Sequence, residues 1–164
     1  MTTEGAEGSV DRRVEAELRS LSVAYAFAAD AGDGARFAGL FVPDGELVVP
    51  DFPTDLRPVV TRAGYEALCR IPEALQRYDR TLHLVGGAEF SVNGDGASGV
   101  VQCVAHHVRS DDPPSDDGRA ATDVVWFIRY HDRYRATGSG WRFARRVLHL
   151  EWVEERPVTV LGGA

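Results

Sequence analysis

The sequence predicts an α+β domain in which N-terminal helices pack on a strongly bent antiparallel sheet and enclose a pocket. Three observations lead there. Apolar residues in the first third recur at helical spacing. From Arg80 onward they alternate, as in strands, and Gly-rich turns break the run into hairpins. The two patterns are segregated along the chain, which favours a helical layer on one face of an antiparallel sheet.

Taken in order, residues 1–8 are Gly- and Glu-rich with no apolar period and are expected to be disordered. Ser9 or Asp11 can cap a helix reaching about Ala29, with Val14, Leu18, Leu21, Tyr25 and Ala28 on one face. Gly32 and Gly34 end it. A short helix over Ala35–Phe41 closes at Pro43-Asp44-Gly45, and Glu46–Val49 reads as a short strand. Three prolines within Pro50–Pro58 predict a loop. Thr61 can cap a third helix through Tyr65, Leu68 and Ile71, kinked or restarted at Pro72.

Four strands follow. Arg80–Val85 ends at Gly86-Gly87. Ala88–Val92 and Gly99–Arg109 flank the turn Asn93-Gly94-Asp95-Gly96. An exposed acidic loop over residues 110–119 leads to long strands over Ala121–Arg135 and Trp141–Val153. The domain is thus expected over residues 9–156, with an unassigned tail at 157–164.

Charge narrows the function classes. Twenty-five acidic residues against 18 basic ones give a net charge of −7, which argues against a nucleic-acid or anionic-membrane surface. No apolar run approaches the ~18 residues of a membrane span. The first residues lack the basic and apolar regions of a secretory signal, which points to the cytoplasm. Cys69 and Cys103 fit no metal or redox spacing and read as reduced, packed thiols.

Three segments carry a family resemblance. AYAFAADAGDGARFAGLF, residues 24–41, resembles the opening of SnoaL-like domains: a helix with Tyr, then Asp, then Gly-Asp, then a short helix ending in Leu-Phe. TLHLVGG, residues 81–87, is similar to the strand that carries the catalytic His in scytalone dehydratase. GWRFARR, residues 140–146, resembles the last strand of the family. The likeness covers about residues 11–155. It implies the cone-shaped α+β barrel of the nuclear-transport-factor-2-like superfamily. The Asp30 and Thr-x-His pairing points toward its scytalone dehydratase, hexachlorocyclohexane dehydrochlorinase and bile-acid dehydratase group, which need no cofactor.

Five residues become candidates. Asp30 ends an apolar helical stretch, where a carboxylate is either solvated or partnered. His83 shares a strand face with Thr81 and Val85, while Leu82 and Leu84 take the other. A lone strand histidine is usually a packing residue. Held by a carboxylate, it keeps one tautomer and can act as a general base near neutral pH. His106 and His107 point to opposite faces. The resemblance selects His106 for the pocket, on the face of Val100, Gln102 and Val104, and leaves His107 outside. Arg146, on a face with Ala144, Leu148 and Trp152, needs an anionic ligand or a structural partner. Tyr25 lies five residues, about 140°, from Asp30, so the two share a pocket only if the helix end unwinds. It is either a substrate hydrogen-bond donor or core.

These parts predict a dehydratase, cyclase or isomerase acting on a hydrophobic carbonyl compound, with natural-product biosynthesis as its setting. The alternative is a non-catalytic binding or assembly module of the same fold. Trp126, Ile128 and Tyr130 alternate with Val125 and Phe127, so both strand faces are partly apolar, which predicts a homodimer on the outer sheet face.

Overall fold

Asp11 begins the first helix as expected. In the computed structural model its carboxylate accepts the Arg13 N–H at 2.8 Å, and α1 runs Arg12–Asp30. The structure describes residues 11–110 and 120–160. The segment expected to be disordered, the tip of the acidic loop and the last four residues lie outside the described residues. Leu18, Leu21, Tyr25, Ala28 and Ala29 form the buried stripe of α1. Gly32, at φ +67°, ends the helix, and the Asp33 N–H donates back to the Ala28 carbonyl at 3.0 Å. That left-handed position favours glycine. Asp33 then caps α2, Gly34–Ala38, by accepting the Arg36 N–H.

The Pro-rich segment departs from expectation. β1 spans Phe41–Asp51 and β2 spans Asp55–Ala63, so the loop read from three prolines is a tight connection plus a strand. The pairing is irregular at Pro50 and Pro58, and β2 sits on the sheet edge, where a missing N–H is tolerated. Because 61–63 pair with β1, α3 starts at Tyr65 and runs to Leu75 with Pro72 inside it.

β3 (Arg80–Asn93), β4 (Gly96–Ser110), β5 (Ala120–Thr137) and β6 (Gly140–Thr159) complete one six-stranded sheet of order β2-β1-β6-β5-β4-β3. β1 runs parallel to β6, and every other pairing is antiparallel. The sheet is therefore mixed and open, a half-wrapped cone in place of a closed antiparallel barrel.

Two glycines change the register. Gly86 and Gly87 do not end a strand. They form a β-bulge opposite a single residue of β4, so the pairing shifts between Val85 and Ala88. The helices cover the concave face. Leu18, Phe37, Leu47, Leu68, Val101, Ala105 and Phe143 are all fully buried there. Each large apolar side chain contributes about 1.5–3 kcal/mol relative to exposure.

Candidate active site

Asp30 occupies the last turn of α1, where the helix dipole disfavours a negative charge. Three donors from β3 hold it. Thr81 Oγ1 donates to Oδ1 at 2.9 Å, the His83 backbone N–H donates to Oδ2 at 2.9 Å, and His83 Nδ1 meets Oδ1 at 2.6 Å. Partial burial pushes the Asp30 pKa up. The hydrogen bonds from His83 and Thr81 and the imidazole charge outweigh it, leaving the carboxyl below its ordinary value. Asp30 is therefore an anion at neutral pH, the Nδ1–H of His83 is directed at it, and Nε2 is turned away from the carboxylate.

His83 lines a cavity of about 530 Å³ between α1, α3 and the concave face of the sheet. That volume is in the range of small-molecule sites. The walls are mostly apolar, with Phe37, Phe52, Ile71, Leu75, Ile128 and Leu148 among them. Tyr25, Tyr130, His107 and Trp126 bring polar groups to the same space. α1 stays helical through Asp30. Tyr25 and Asp30 reach one site without unwinding because Asp30 holds His83 from behind, while Tyr25 faces the cavity directly. Burial pushes the Tyr25 hydroxyl up to about 12, against the opposing pull of the Arg146 charge, so it remains a neutral donor.

The two neighbouring histidines exchange the places expected of them. His107 is the cavity residue. It is 1% exposed, its ring stands edge-on to His83 at 5.8 Å, and it packs on Trp126 at 4.8 Å. Its Nδ1–H donates to the Val124 carbonyl at 3.1 Å, which leaves Nε2 as an acceptor. Burial, reinforced by the charge of His83, pushes its pKa down to about 4. His106 faces the outer side, where its Nδ1 meets Asp123 Oδ2 at 2.7 Å and Arg156 joins the same oxygen at 3.2 Å. β4 alternates without a break, and its buried side carries Ala97, Val101, Cys103, Ala105 and His107, so His106 falls on the other face. The Gly86–Gly87 bulge acts on β3: it turns Thr81, His83 and Val85 to the same inward side as Ala88, Phe90 and Val92 and sets His83 opposite Ala105.

Arg146 is likewise not in the cavity. It is 1% exposed, and its Nε and Nη2 grip both oxygens of Asp132 at 2.8 and 2.6 Å, with Ser22 at 3.2 Å. Burial lowers its pKa, but the Asp132 charge and hydrogen bonds more than offset this and hold the guanidinium charged. The guanidinium lies over the rings of Tyr25 (4.3 Å), Tyr130 (4.1 Å) and Phe143 (4.2 Å). It thus supports the two cavity tyrosines from below. Irregularities in β6 place Trp152 outside, away from the Arg146 face.

Sequence reasoning missed Thr81 as a partner of Asp30, and it missed Trp126, whose indole N–H is buried without a hydrogen-bond partner among the described residues. It also missed Arg62, Arg70 and Arg77 on the cavity wall. The described residues include no group of three or more His, Cys, Asp or Glu arranged to hold a metal ion. No described helix is long and apolar enough to cross a membrane.

Comparison with known proteins agrees with this architecture. The sequence profile of the SnoaL-like domain matches residues 11–147. Nothing among curated proteins matches the chain by sequence. Among solved structures, the chain is similar to a provisionally named scytalone dehydratase from Novosphingobium aromaticivorans, with TM-score 0.70 and 19% identity over 92% of this chain and 94% of that one. A hexachlorocyclohexane dehydrochlorinase from Novosphingobium barchaimii matches with TM-score 0.68 and 14% identity over 93% and 94%. A nuclear-transport-factor-2-like protein with a cystatin-like fold, also from N. aromaticivorans, matches with TM-score 0.60 and 25% identity over 85% and 82%.

Proposed function

The chain belongs to the SnoaL-like domain family, and from that premise we propose that it is a cofactor-independent acid/base enzyme, a dehydratase or a cyclase/isomerase, with His83 as its base. The observation that carries this reading is the three-donor grip on Asp30, which fixes the His83 tautomer and leaves Nε2 facing an apolar cavity. Two of the fold neighbours are named for elimination reactions.

In the proposed dehydration of a β-hydroxy carbonyl compound, Nε2 removes the proton next to the carbonyl, and the C–H electron pair moves into an enolate. The Tyr25 hydroxyl, a neutral donor in the cavity, stabilises the enolate oxygen. The enolate pair then forms the C=C bond as the C–O bond breaks. The His83 imidazolium returns its Nε2 proton to the departing hydroxyl, which leaves as water. His107 is neutral with its Nδ1 proton committed to Val124, so it serves as an acceptor for a substrate hydroxyl. The same enolate chemistry serves a double-bond shift or ring closure. The apolar walls suit a polyketide- or terpenoid-like compound and so a natural-product setting.

We also propose a homodimer through the outer sheet face. Phe127 and Trp152 stack there at 4.3 Å, and Trp152, Leu82 and Leu84 are each 51% exposed. Trp126, Ile128 and Tyr130, the other half of the alternation, line the cavity. Light scattering giving a monomer at micromolar concentration would refute the dimer. The enzymatic reading is tested by screening β-hydroxy carbonyl compounds for loss of water and comparing wild type with His83→Ala on any substrate found. Wild-type turnover by the variant overturns it.

A further inference from the structure

We propose that the arginine-bearing wall of the cavity is an anion subsite, so that the ligand is a hydrophobic compound carrying a carboxylate or phosphate. The inference rests on the cavity being a small-molecule site, as proposed above. Arg146, the guanidinium first expected to meet an anion, is saturated by Asp132 in the core. Three others take the cavity wall. Arg62 lies across the β1–β2 ladder from Leu47, a cavity residue, and so shares its face. Arg70 interrupts the cavity stripe of α3 formed by Ala67, Ile71 and Ala74, where helical spacing would otherwise keep apolar residues. Arg77 follows that helix, stacked on Tyr78 with its Nη2 donating to the Tyr78 hydroxyl at 3.2 Å.

Neither Arg62 nor Arg70 has a hydrogen-bond or salt-bridge partner among the described residues, although most of the chain's other arginines there do. The one carboxylate on this wall, among the described residues, is Asp51. Three guanidinium groups against one carboxylate reverse the charge balance of a chain with net charge −7. Arginines brought to one cavity wall from a strand, a helix and the turn after it make that wall positive, and their planar donor forks match carboxylate and phosphate oxygens. The apolar body of such a ligand would lie against the apolar walls of the same cavity.

A matched pair of fluorescent probes tests this: 8-anilino-1-naphthalenesulfonate, and N-phenyl-1-naphthylamine, which has the same rings without the sulfonate. The sulfonate probe should bind about 10-fold or more tightly than the neutral one at low salt, and the preference should shrink in 0.5 M NaCl. The triple variant Arg62→Gln/Arg70→Gln/Arg77→Gln should lose most of the preference while binding the neutral probe as wild type does, which also reports that the cavity is intact. Displacement of the sulfonate probe by 2-naphthoate and by 2-naphthyl phosphate then distinguishes a carboxylate from a phosphate ligand. Equal affinity for the two probes in wild type, or a preference retained in the triple variant, overturns the proposal. His83→Ala should keep the preference, so loss of the base and loss of anion recognition read out separately.

Discussion

Two His–Asp pairs sit on opposite faces of one sheet with nearly the same contact length, 2.6 Å for His83–Asp30 and 2.7 Å for His106–Asp123. Their surroundings differ in every respect that matters for chemistry. Asp30 is held by a hydroxyl and a backbone N–H as well as the imidazole, and its histidine opens on a cavity. Asp123 shares one oxygen between His106 and the half-exposed Arg156, while its other oxygen is buried without a partner among the described residues. A His–Asp contact is therefore a common structural device. What makes one a candidate base is a fully satisfied carboxylate behind it and a cavity in front.

The largest expected effect separates the two pairs by activity. On a substrate found by the screen, His83→Ala should lower turnover by about 10²–10⁴-fold, some 3–5 kcal/mol of barrier. Asp30→Asn should act in the same direction, since it removes the charge that stabilises the imidazolium. A His83→Ala loss under about 10-fold would make the inner pair as structural as the outer one.

Next comes the support beneath the cavity tyrosines. Arg146→Met leaves the buried Asp132 charge without a counter-charge, with only the Tyr134 hydroxyl donating to it, and should destabilise the fold by about 3–5 kcal/mol in urea unfolding. Arg146→Met/Asp132→Leu should recover much of that loss, because an apolar pair of similar volume replaces a desolvated ion pair. If Arg146→Met keeps wild-type stability and loses only activity, the guanidinium serves the ligand instead of the fold.

How much of this was legible in the sequence follows from the same elements. The helix spacing, the Asn93–Gly96 turn and the placement of Thr81, His83 and Val85 on one face carried over directly, because periodicity reports local geometry. The inward histidine of β4 did not, because alternation separates His106 from His107 without saying which face is buried. The available signal was the small, apolar set Ala97, Val101, Cys103 and Ala105 on the His107 face, against Ser98 and Gln102 on the His106 face. Gly86-Gly87, read as a strand end, is a bulge in β3; two adjacent glycines inside an alternating run mark either. Arg146 was found as a buried charge, but its partner Asp132 is fixed by cross-strand register between β5 and β6, which periodicity does not report. The arginines on the cavity wall depend on β2, hidden in a Pro-rich stretch, and on how α3 faces it.

His107 gives an intermediate effect with a definite sign. Its pKa falls from an ordinary 6.5 when unfolded to about 4 when folded. The neutral form is thus favoured by folding. The stability this contributes is fully present above pH 6.5 and is lost as pH falls toward 4, to a total on the order of 3 kcal/mol. Asp30 is also depressed, but its contribution is lost only below its ordinary 3.8, so the two windows separate. Unfolding free energies from urea titrations at pH 7.5 and 5 should therefore differ by about 2 kcal/mol in wild type, and by clearly less in His107→Asn, whose amide can still donate to Val124. An unchanged acid dependence in the variant would place the titrating group elsewhere.

The smallest effect is expected of the outer pair, and it carries the comparison. His106 is 21% exposed at its side chain and Arg156 is 54% exposed, so water screens both partners of Asp123. His106→Gln removes one screened contact, keeps a hydrogen-bonding amide and leaves Arg156 on the carboxylate. Such contacts are worth about 0.2–1 kcal/mol, so stability should fall by no more than that. Turnover should match wild type, because no path leads from the outer face through the sheet to the cavity side of His83. The measurement that matters is the ratio of the two histidine variants on one substrate. A His106→Gln defect as deep as that of His83→Ala would mean that the outer face takes part in the reaction. The cavity would then no longer be the feature that distinguishes one His–Asp pair from the other.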